Sequence, residues 1–273
     1  MRVLITRPER GLSRTLEALA AAGHRAEPCP VTAVRLLDAP HFPADLIEQA
    51  SLLVLTSPNS VELLVQLGSR DPGARLLLER VARAPHRHPL PVAALGQATA
   101  TAVYGLLESP ARYVPADEAS QVALTRHLLA QPEIADLGPV VFPCAEGSAL
   151  HLKQSLEERG IAVHMIPFYK SDVNEAGIDR LIQHVCTLHP SRRGVVTFHA
   201  PSQVRAVFQH AIASPVVRHS VAGAACTAVF AGPTTYEASL PWAAELDGGS
   251  LVMMKPSDAT LVEVLARLKP DAE

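Results

Sequence analysis

The sequence predicts an α/β protein of two small open parallel-sheet domains related by internal duplication. Three observations predict it. Short, continuous apolar runs alternate with segments of helical spacing, as in βα repeats. Three kinds of segment each occur twice, in the same order. The chain is also able to bury a real core, with 273 residues, 48% of them hydrophobic, and a mean hydropathy of +0.16. That length suits one large domain or two modest ones.

The first repeated segment is a strand, a helix and a second strand. "RVLIT" (2–6) leads into 12–32, and "PVVFP" (139–143) leads into 152–169. Leu19, Gly23, Pro30 and Val31 match Leu156, Gly160, Pro167 and Phe168 at a constant offset of 137. The second is an apolar strand that ends in a proline turn and opens a helix: "LLVLTSPNSVELLVQL" (52–67) and "GVVTFHAPSQVRAVFQ" (194–209). The third is a strand followed by glycine and threonine: "VAALGQATATAV" (92–103) and "AVFAGPTTYEAS" (228–239). There, Gly96, Thr99 and Ala102 match Gly232, Thr235 and Ala238 at an offset of 136. Three matches in the same order, two of them at nearly one offset, define two related halves. The strands are β-branched and continuous, as when helices cover both faces of a parallel sheet. Gly23 and Gly160 fall where a helix would close on a left-handed residue.

Charge and cysteine usage exclude several classes. A formal charge of −3 without a Lys/Arg run argues against a nucleic-acid footprint. Cys29, Cys144, Cys186 and Cys226 are far apart, with no CxxC pair, and are expected to be reduced, buried thiols. "MRVLITRPER" has too short an apolar stretch for a signal peptide, and no run approaches a membrane span. A soluble cytoplasmic protein is the expectation. The histidines of "ARAPHRHPLP" (82–91) and "TLHPSRRG" (187–194) lack ligand spacing, so both stretches read as surface turns rather than a metal site.

No G-x-S-x-G, H-E-x-x-H, Walker or G-x-G-x-x-G motif is present. What recurs is hydroxyl, amide and backbone N–H at helix starts: Thr56, Ser57, Asn59 and Ser60; Gly96, Gln97 and Thr99; Ser202 and Gln203; Gly232, Thr234 and Thr235. Helix starts leave N–H groups without partners, and each favours an anion by roughly 0.3–1 kcal/mol. In open α/β sheets ligands bind beyond the carboxyl ends of the strands, where these turns lie. Several together suit a substrate with many carboxylates or phosphates. Any one alone reads equally as a helix cap. Tyr169 closes the run "VHMIPFY", where its counterpart is Thr32. It reads as a boundary tyrosine that packs its ring, or as a phenol able to donate a proton.

In order and spacing, "TSPNSVELL", "ALGQATATAV", "VVFPCAEG", "LEERGIAVHMIPFYKS", "VVTFHAPSQV" and "AGPTTYEA" resemble the uroporphyrinogen-III synthase family. The likeness runs from "VLITRP" to about residue 265. It implies that the second domain is inserted into the first, with residues 1–35 and 173–273 as one domain and 36–172 as the other. A two-stranded connection, 31–36 and 168–173, would join them. The implied substrate is hydroxymethylbilane, a linear tetrapyrrole with many carboxylates, held between the domains largely by N–H and hydroxyl groups. The implied reaction is loss of the terminal hydroxyl as water and ring closure with inversion of ring D. Tyr169 falls on the family tyrosine thought to assist the leaving hydroxyl. Thr6, Arg7, Ser57, Asn59, Gly96, Gln97, Thr99, Ser202, Gly232, Thr234 and Thr235 are the implied substrate contacts.

The resemblance further implies a monomer without metal or organic cofactor, without nucleic-acid or membrane partners, and with handover of substrate from the enzyme making hydroxymethylbilane. Two departures from the family pattern stand out: His199-Ala200 replaces a serine-rich turn, and Asn59 stands where a basic residue is frequent. A non-catalytic tetrapyrrole- or anion-binding paralogue with the same two-domain clamp is the alternative.

Overall fold

Two five-stranded sheets organise the chain, one in each of two units: Met1–Ala33 with Ser171–Glu273, and Val34–Lys170. The computed structural model describes residues 2–9, 12–82, 89–116, 118–187, 194–212, 226–245, 249–254 and 257–268. The histidine-bearing stretches 83–88 and 188–193 lie outside the described residues.

In the first unit the sheet order is β10-β9-β8-β1-β2. The strands are β1 (Arg2–Ile5), β2 (Arg25–Pro28), β8 (Gly194–Phe198), β9 (Cys226–Ala231) and β10 (Ser250–Met253). All neighbours are parallel, with Val3 opposite Ala26 on one side and Val195 on the other. Parallel strands cannot be joined by a tight turn, so helices carry each crossover. Those described are α1 (Leu12–Ala21), α8 (Glu175–Cys186), α9 (Pro201–Ile212), the short α10 (Pro233–Glu237) and α11 (Asp258–Arg267). Successive strand residues face opposite sides. Accordingly Val3, Ile5, Val195 and Val229 pack against α1 and α11, while Leu4, Val196, Phe198 and Phe230 pack against α8 and α9.

The second unit has the order β3-β7-β6-β4-β5. Its strands are β3 (Thr32–Leu36), β4 (Leu52–Leu55), β5 (Val92–Ala94), β6 (Val140–Ala145) and β7 (Val163–Val173). One face packs on α2 (Ala44–Gln49), α3 (Pro58–Gly68), α4 (Pro72–Val81) and α5 (Gln97–Leu107). The other packs on α6 (Gln121–Leu129) and α7 (His151–Glu157). The chain leaves the first unit within β3 and returns within β7.

The duplication is visible in the strand order. If β1 and β2 correspond to β6 and β7, and β8 and β9 to β4 and β5, both sheets share the order β9-β8-β1-β2 and β5-β4-β6-β7. The additional strands sit at opposite edges: β10 beside β9, and β3 beside β7. Each unit therefore takes its strand-helix-strand segment from one half of the sequence and its other matched strands from the other half. The matched glycines do the same work. Gly23 (φ +78°) and Gly160 (φ +80°) adopt the left-handed region after α1 and α7. His24 N–H donates to Leu19 and Gly23 N–H to Ala20; Ile161 N–H donates to Leu156 and Gly160 N–H to Glu157. This doubled pair of bonds is the Schellman closure.

The structure corrects one expectation and bounds one element whose length the sequence left open. Cys29, Cys144 and Cys226 are buried free thiols, but Cys186, in the last turn of α8, is exposed. The helix after "AGPTT" is only five residues long and gives way to a 3₁₀ segment, Leu240–Glu245, because Ser239 Oγ takes the Tyr236 carbonyl and Pro241 follows.

Close backbone approach constrains the start of α8. Asn174 caps it, accepting from Gly177 N–H at 3.2 Å, while its Nδ2 donates to Pro30 O at 2.7 Å. A Cβ at Gly177 would collide with that same Pro30 carbonyl. Gly177→Ala is therefore expected to lower stability by about 1–3 kcal/mol, read as a lower urea midpoint.

Candidate functional site

The carboxyl edge of each sheet gathers the sequence-predicted residues that fall in that unit. In the second unit they centre on Tyr169. β7 pairs in register with β6 through Pro167 opposite Cys144, and then Tyr169, not Phe168, lies opposite Ala145. One extra residue on a strand breaks the alternation of faces. As a result Phe168 and Tyr169, neighbours in sequence, both enter the same core cluster. Their rings meet edge to face at 4.9 Å, and Phe42 packs edge to face on Phe168 at 5.8 Å. Tyr169 is 7% exposed, so its ring is packed in place.

The phenol oxygen lies 3.3 Å from Ser57 Oγ. Ser57 is the N-cap of α3, one residue beyond the end of β4 and before Pro58, which suits a first helical position. Ser60 N–H donates to Ser57 Oγ at 3.0 Å, and Ser57 N–H donates to Ser60 Oγ at 3.3 Å, a reciprocal capping box. Burial pushes the Tyr169 phenol up from its ordinary value; the Ser57 contact pulls it down and the neighbouring Cys144 pushes it up again. Net, Tyr169 holds its proton at neutral pH. Asn59 is half-buried on the first turn of α3. Gly96 is the N-cap of α5, where a Cβ would come within 2.6 Å of the Ala119 methyl. Gln97 is exposed and Thr99 buried. Ser57 and Tyr169 are thus in contact, with the α5 turn placed at the same sheet edge.

In the first unit, the turns after β1 and β8 are tied together. Thr6 is fully buried; its hydroxyl lies 2.6 Å from the Thr197 carbonyl and 2.9 Å from Gln203 Oε1. That oxygen also accepts from His199 N–H at 2.7 Å. Gln203 in the first turn of α9 so reaches back to the backbone ahead of its helix, as a capping-box glutamine does. Thr6, expected as a substrate contact, is an internal tie here with no accessible surface. Ser202 is half-buried on the same turn.

Arg7 is oriented by a chain of polar contacts. Its Nη1 donates to Thr15 Oγ1 at 2.6 Å, and Thr15 donates to Asp258 Oδ1 at 2.7 Å. Asp258 also lies 3.4 Å from Arg7 Nη1 and accepts from Arg14 Nε at 3.0 Å. Burial pushes the Asp258 carboxyl up, but the Thr15 and Arg14 bonds and both guanidinium charges bring it below the ordinary value. Arg7 keeps 28% of its side chain exposed, a guanidinium held in place with a face to solvent. Thr15, Asp258 and Thr197 escaped sequence reasoning. Thr15 looks like any residue of an amphipathic helix, and Asp258 lies 243 positions from its partner Thr15.

The "GPTT" turn is where the anion-binding expectation changes most. Gly232 takes φ +95° and ψ 161°, a conformation that favours glycine. Thr234 is exposed, but Thr235 is buried and its hydroxyl donates back to the Ala231 carbonyl at 3.1 Å. With five residues, α10 sums few peptide dipoles. The turn supplies shape and a hydroxyl at Thr234 rather than a strong helix-end field.

A two-unit α/β protein with polar turns at the carboxyl edges of both sheets is the class defined so far. The model of the family described as uroporphyrinogen-III synthase HemD matches residues 13–242, and the chain belongs to that family of tetrapyrrole-biosynthesis enzymes. Solved structures agree in fold. A uroporphyrinogen III synthase variant from the extremely thermophilic bacterium Thermus thermophilus is 20% identical, with 97% of this chain and 98% of that chain covered at a TM-score of 0.58. The uroporphyrinogen-III synthetase of Helicobacter pylori is 16% identical, with coverage of 98% and 100% and a TM-score of 0.59. No match to a curated protein sequence was found. Among the described residues, no helix is long and apolar enough to cross a membrane, and no cluster of three or more His, Cys, Asp or Glu could hold a metal ion.

His199 gives the site a pH signature. Its Nε2 lies 3.1 Å from Thr197 Oγ1, which donates to the Leu4 carbonyl at 3.4 Å, so the ring presents Nε2–H. Burial first, then the Arg7 charge, push the imidazole down to about 3, with Asp258 opposing. The folded protein keeps His199 neutral while the unfolded chain takes up a proton below about pH 6.5. Stability is therefore lost as pH falls from about 6.5 towards 3, by at most about 1.4 kcal/mol per pH unit. Urea unfolding at pH 7 and pH 5 is expected to show a larger loss in wild type than in His199→Asn. Parallel losses would mean that His199 is charged in the folded state.

Proposed function

We propose that this chain is an active uroporphyrinogen-III synthase, a cyclising hydro-lyase that converts hydroxymethylbilane to uroporphyrinogen III. The observation that carries this reading is the protonated Tyr169 phenol, its ring locked and its oxygen beside Ser57, at the carboxyl edge of the second unit's sheet. Departure of the terminal hydroxyl needs a proton. Tyr169 supplies it, the hydroxyl leaves as water, and the electron pair of the adjacent pyrrole nitrogen stabilises the azafulvenium cation left behind. The substituted carbon of the last ring then attacks this cation, and rearrangement through a spiro intermediate inverts ring D. A proton is returned when the final ring regains aromaticity. The sequence is redox-neutral, so it requires no electron acceptor.

Binding follows the chemistry of the substrate's carboxylates. Arg7 offers an oriented cation; Asn59, Gln97, Ser202 and Thr234 offer accessible amides and hydroxyls. The backbone N–H groups after Gly96, with Thr99 buried on the same turn, add to the set, and Gly232 and Thr235 shape the turn that carries Thr234. Tetrapyrrole handover from the enzyme that makes hydroxymethylbilane, a monomeric state and a cytoplasmic setting belong to the same proposal. Holding a flexible chain near its closing geometry contributes as much as proton donation, because effective concentrations are high for aligned partners.

The test is an isomer assay. Freshly generated hydroxymethylbilane is supplied, the product is oxidised, and type I and type III uroporphyrins are separated. Unassisted closure gives type I, so protein-dependent type III is the expected result. Type I alone, from folded protein, would favour the non-catalytic binding paralogue. Tyr169→Phe is expected to lower type III turnover by roughly 10- to 100-fold, at or below the low end of general-acid effects because the cation forms readily. Wild-type turnover in that variant would remove Tyr169 from the proton-donor role.

A further inference from the structure

We propose that Ser57 is a positioning residue for Tyr169 rather than a substrate contact: its hydroxyl hydrogen is the donor that receives the charge growing on the phenol oxygen as Tyr169 releases its proton. The inference rests on the proton-donor reading of Tyr169 and follows from counting hydrogens in the turn.

A serine hydroxyl has one hydrogen to give and can accept two. Ser57 Oγ accepts from Ser60 N–H at 3.0 Å. The Ser60 hydroxyl hydrogen is engaged at 2.6 Å with the Ser57 carbonyl, so it cannot turn towards Ser57 Oγ. Among the described residues, the hydrogen of Ser57 is then left with one hydrogen-bonding oxygen, Tyr169 Oη at 3.3 Å. Having accepted from a helix N–H, the Ser57 hydroxyl is polarised towards donation, and its hydrogen points away from the positive end of α3. At rest the separation is longer than the roughly 2.5–3.0 Å usual between two hydroxyls, and catalytic contacts of this kind tighten when charge develops.

Among the described residues, nothing else around the phenol performs this service, and no other hydrogen bond reaches Oη. Burial pushes the Cys144 thiol, facing from β6, up to about 11, so it stays neutral. Glu146 meets Tyr169 through the backbone, its N–H donating to the Tyr169 carbonyl at 2.8 Å. A buried phenolate with no donor would be strongly disfavoured. The β7 bulge and the α3 capping box are two unrelated local devices, and their meeting at these two oxygens gives the serine a role that a cap alone does not require.

The experiment separates the hydrogen bond from the cap. A difluorotyrosine, whose phenol titrates nearer neutrality, is incorporated at position 169 and followed by fluorine NMR. Ser57→Gly deletes the hydroxyl yet costs the helix start only a few tenths of a kcal/mol, whereas Ser57→Thr retains both functions. The expected result is a titration moved to higher pH in Ser57→Gly and restored in Ser57→Thr. With ordinary Tyr169, kcat for type III product falls roughly 2- to 10-fold in Ser57→Gly, as expected for one lost hydrogen bond, with KM unchanged. An unmoved titration overturns the proposal. So does a moved titration with unchanged kcat, or a raised KM with unchanged kcat, which would return Ser57 to substrate binding. The titration needs no substrate, so it reads out the Ser57–Tyr169 bond even if the isomer assay finds only type I product.

Discussion

The pairing of β1 with β8 is the constraint on which the architecture depends. Four residues at the start of the chain lie in register beside Gly194–Thr197, with β2 on their other side. β1 is an interior strand of its sheet, between β8 and β2, and Val3, Leu4 and Ile5 have no exposed surface. The first unit thus needs both ends of the chain, whereas Val34–Lys170 is contiguous. Bringing distant segments together costs loop entropy before contacts repay it, and this slows folding. The same closure carries the polar turn after β1 to the turn after β8, where Thr6 and His199 share Gln203. Sheet assembly and site assembly are one event in this unit.

In the second unit the equivalent role belongs to one extra residue. Had β7 continued in strict alternation past Pro167, Phe168 and Tyr169 would have faced opposite sides of the sheet. The slip between Cys144 and Ala145 places both in one apolar cluster and brings the phenol to Ser57. A strong packing force fixes a weak polar contact. Burial holds the ring, and it also pushes the phenol's titration further above neutrality, so one physical cause acts on both geometry and acidity.

Periodicity and turn chemistry made much of this legible in advance. The alternating elements, the paired glycines and the parallel sheets follow from local rules. The capping serine of "TSPNS" is equally local. What escaped was set by register or by distance in sequence. The β7 bulge changes pairing by one residue and leaves no signal beyond Pro167. The Arg7–Thr15–Asp258 chain joins residues that no spacing rule connects. "AGPTT" misled because a glycine-proline turn announces a helix start without stating its length. Thr6 misled in the opposite way, since a threonine at a strand end looks accessible until the next turn closes over it.

The route by which the chain passes between the units has a consequence for how such a protein can change. Val31 and Asn174 are hydrogen-bonded on the first unit's side, and Leu37 and Phe168 on the second's. Exit and return therefore run side by side, and the second unit begins and ends at nearly one point. Topologically it is a cassette. A single excision or replacement of that span would leave the ends of the first unit close enough to be joined by a short turn, so the inserted half could be exchanged, lengthened or re-cut without rethreading the sheet that surrounds β1.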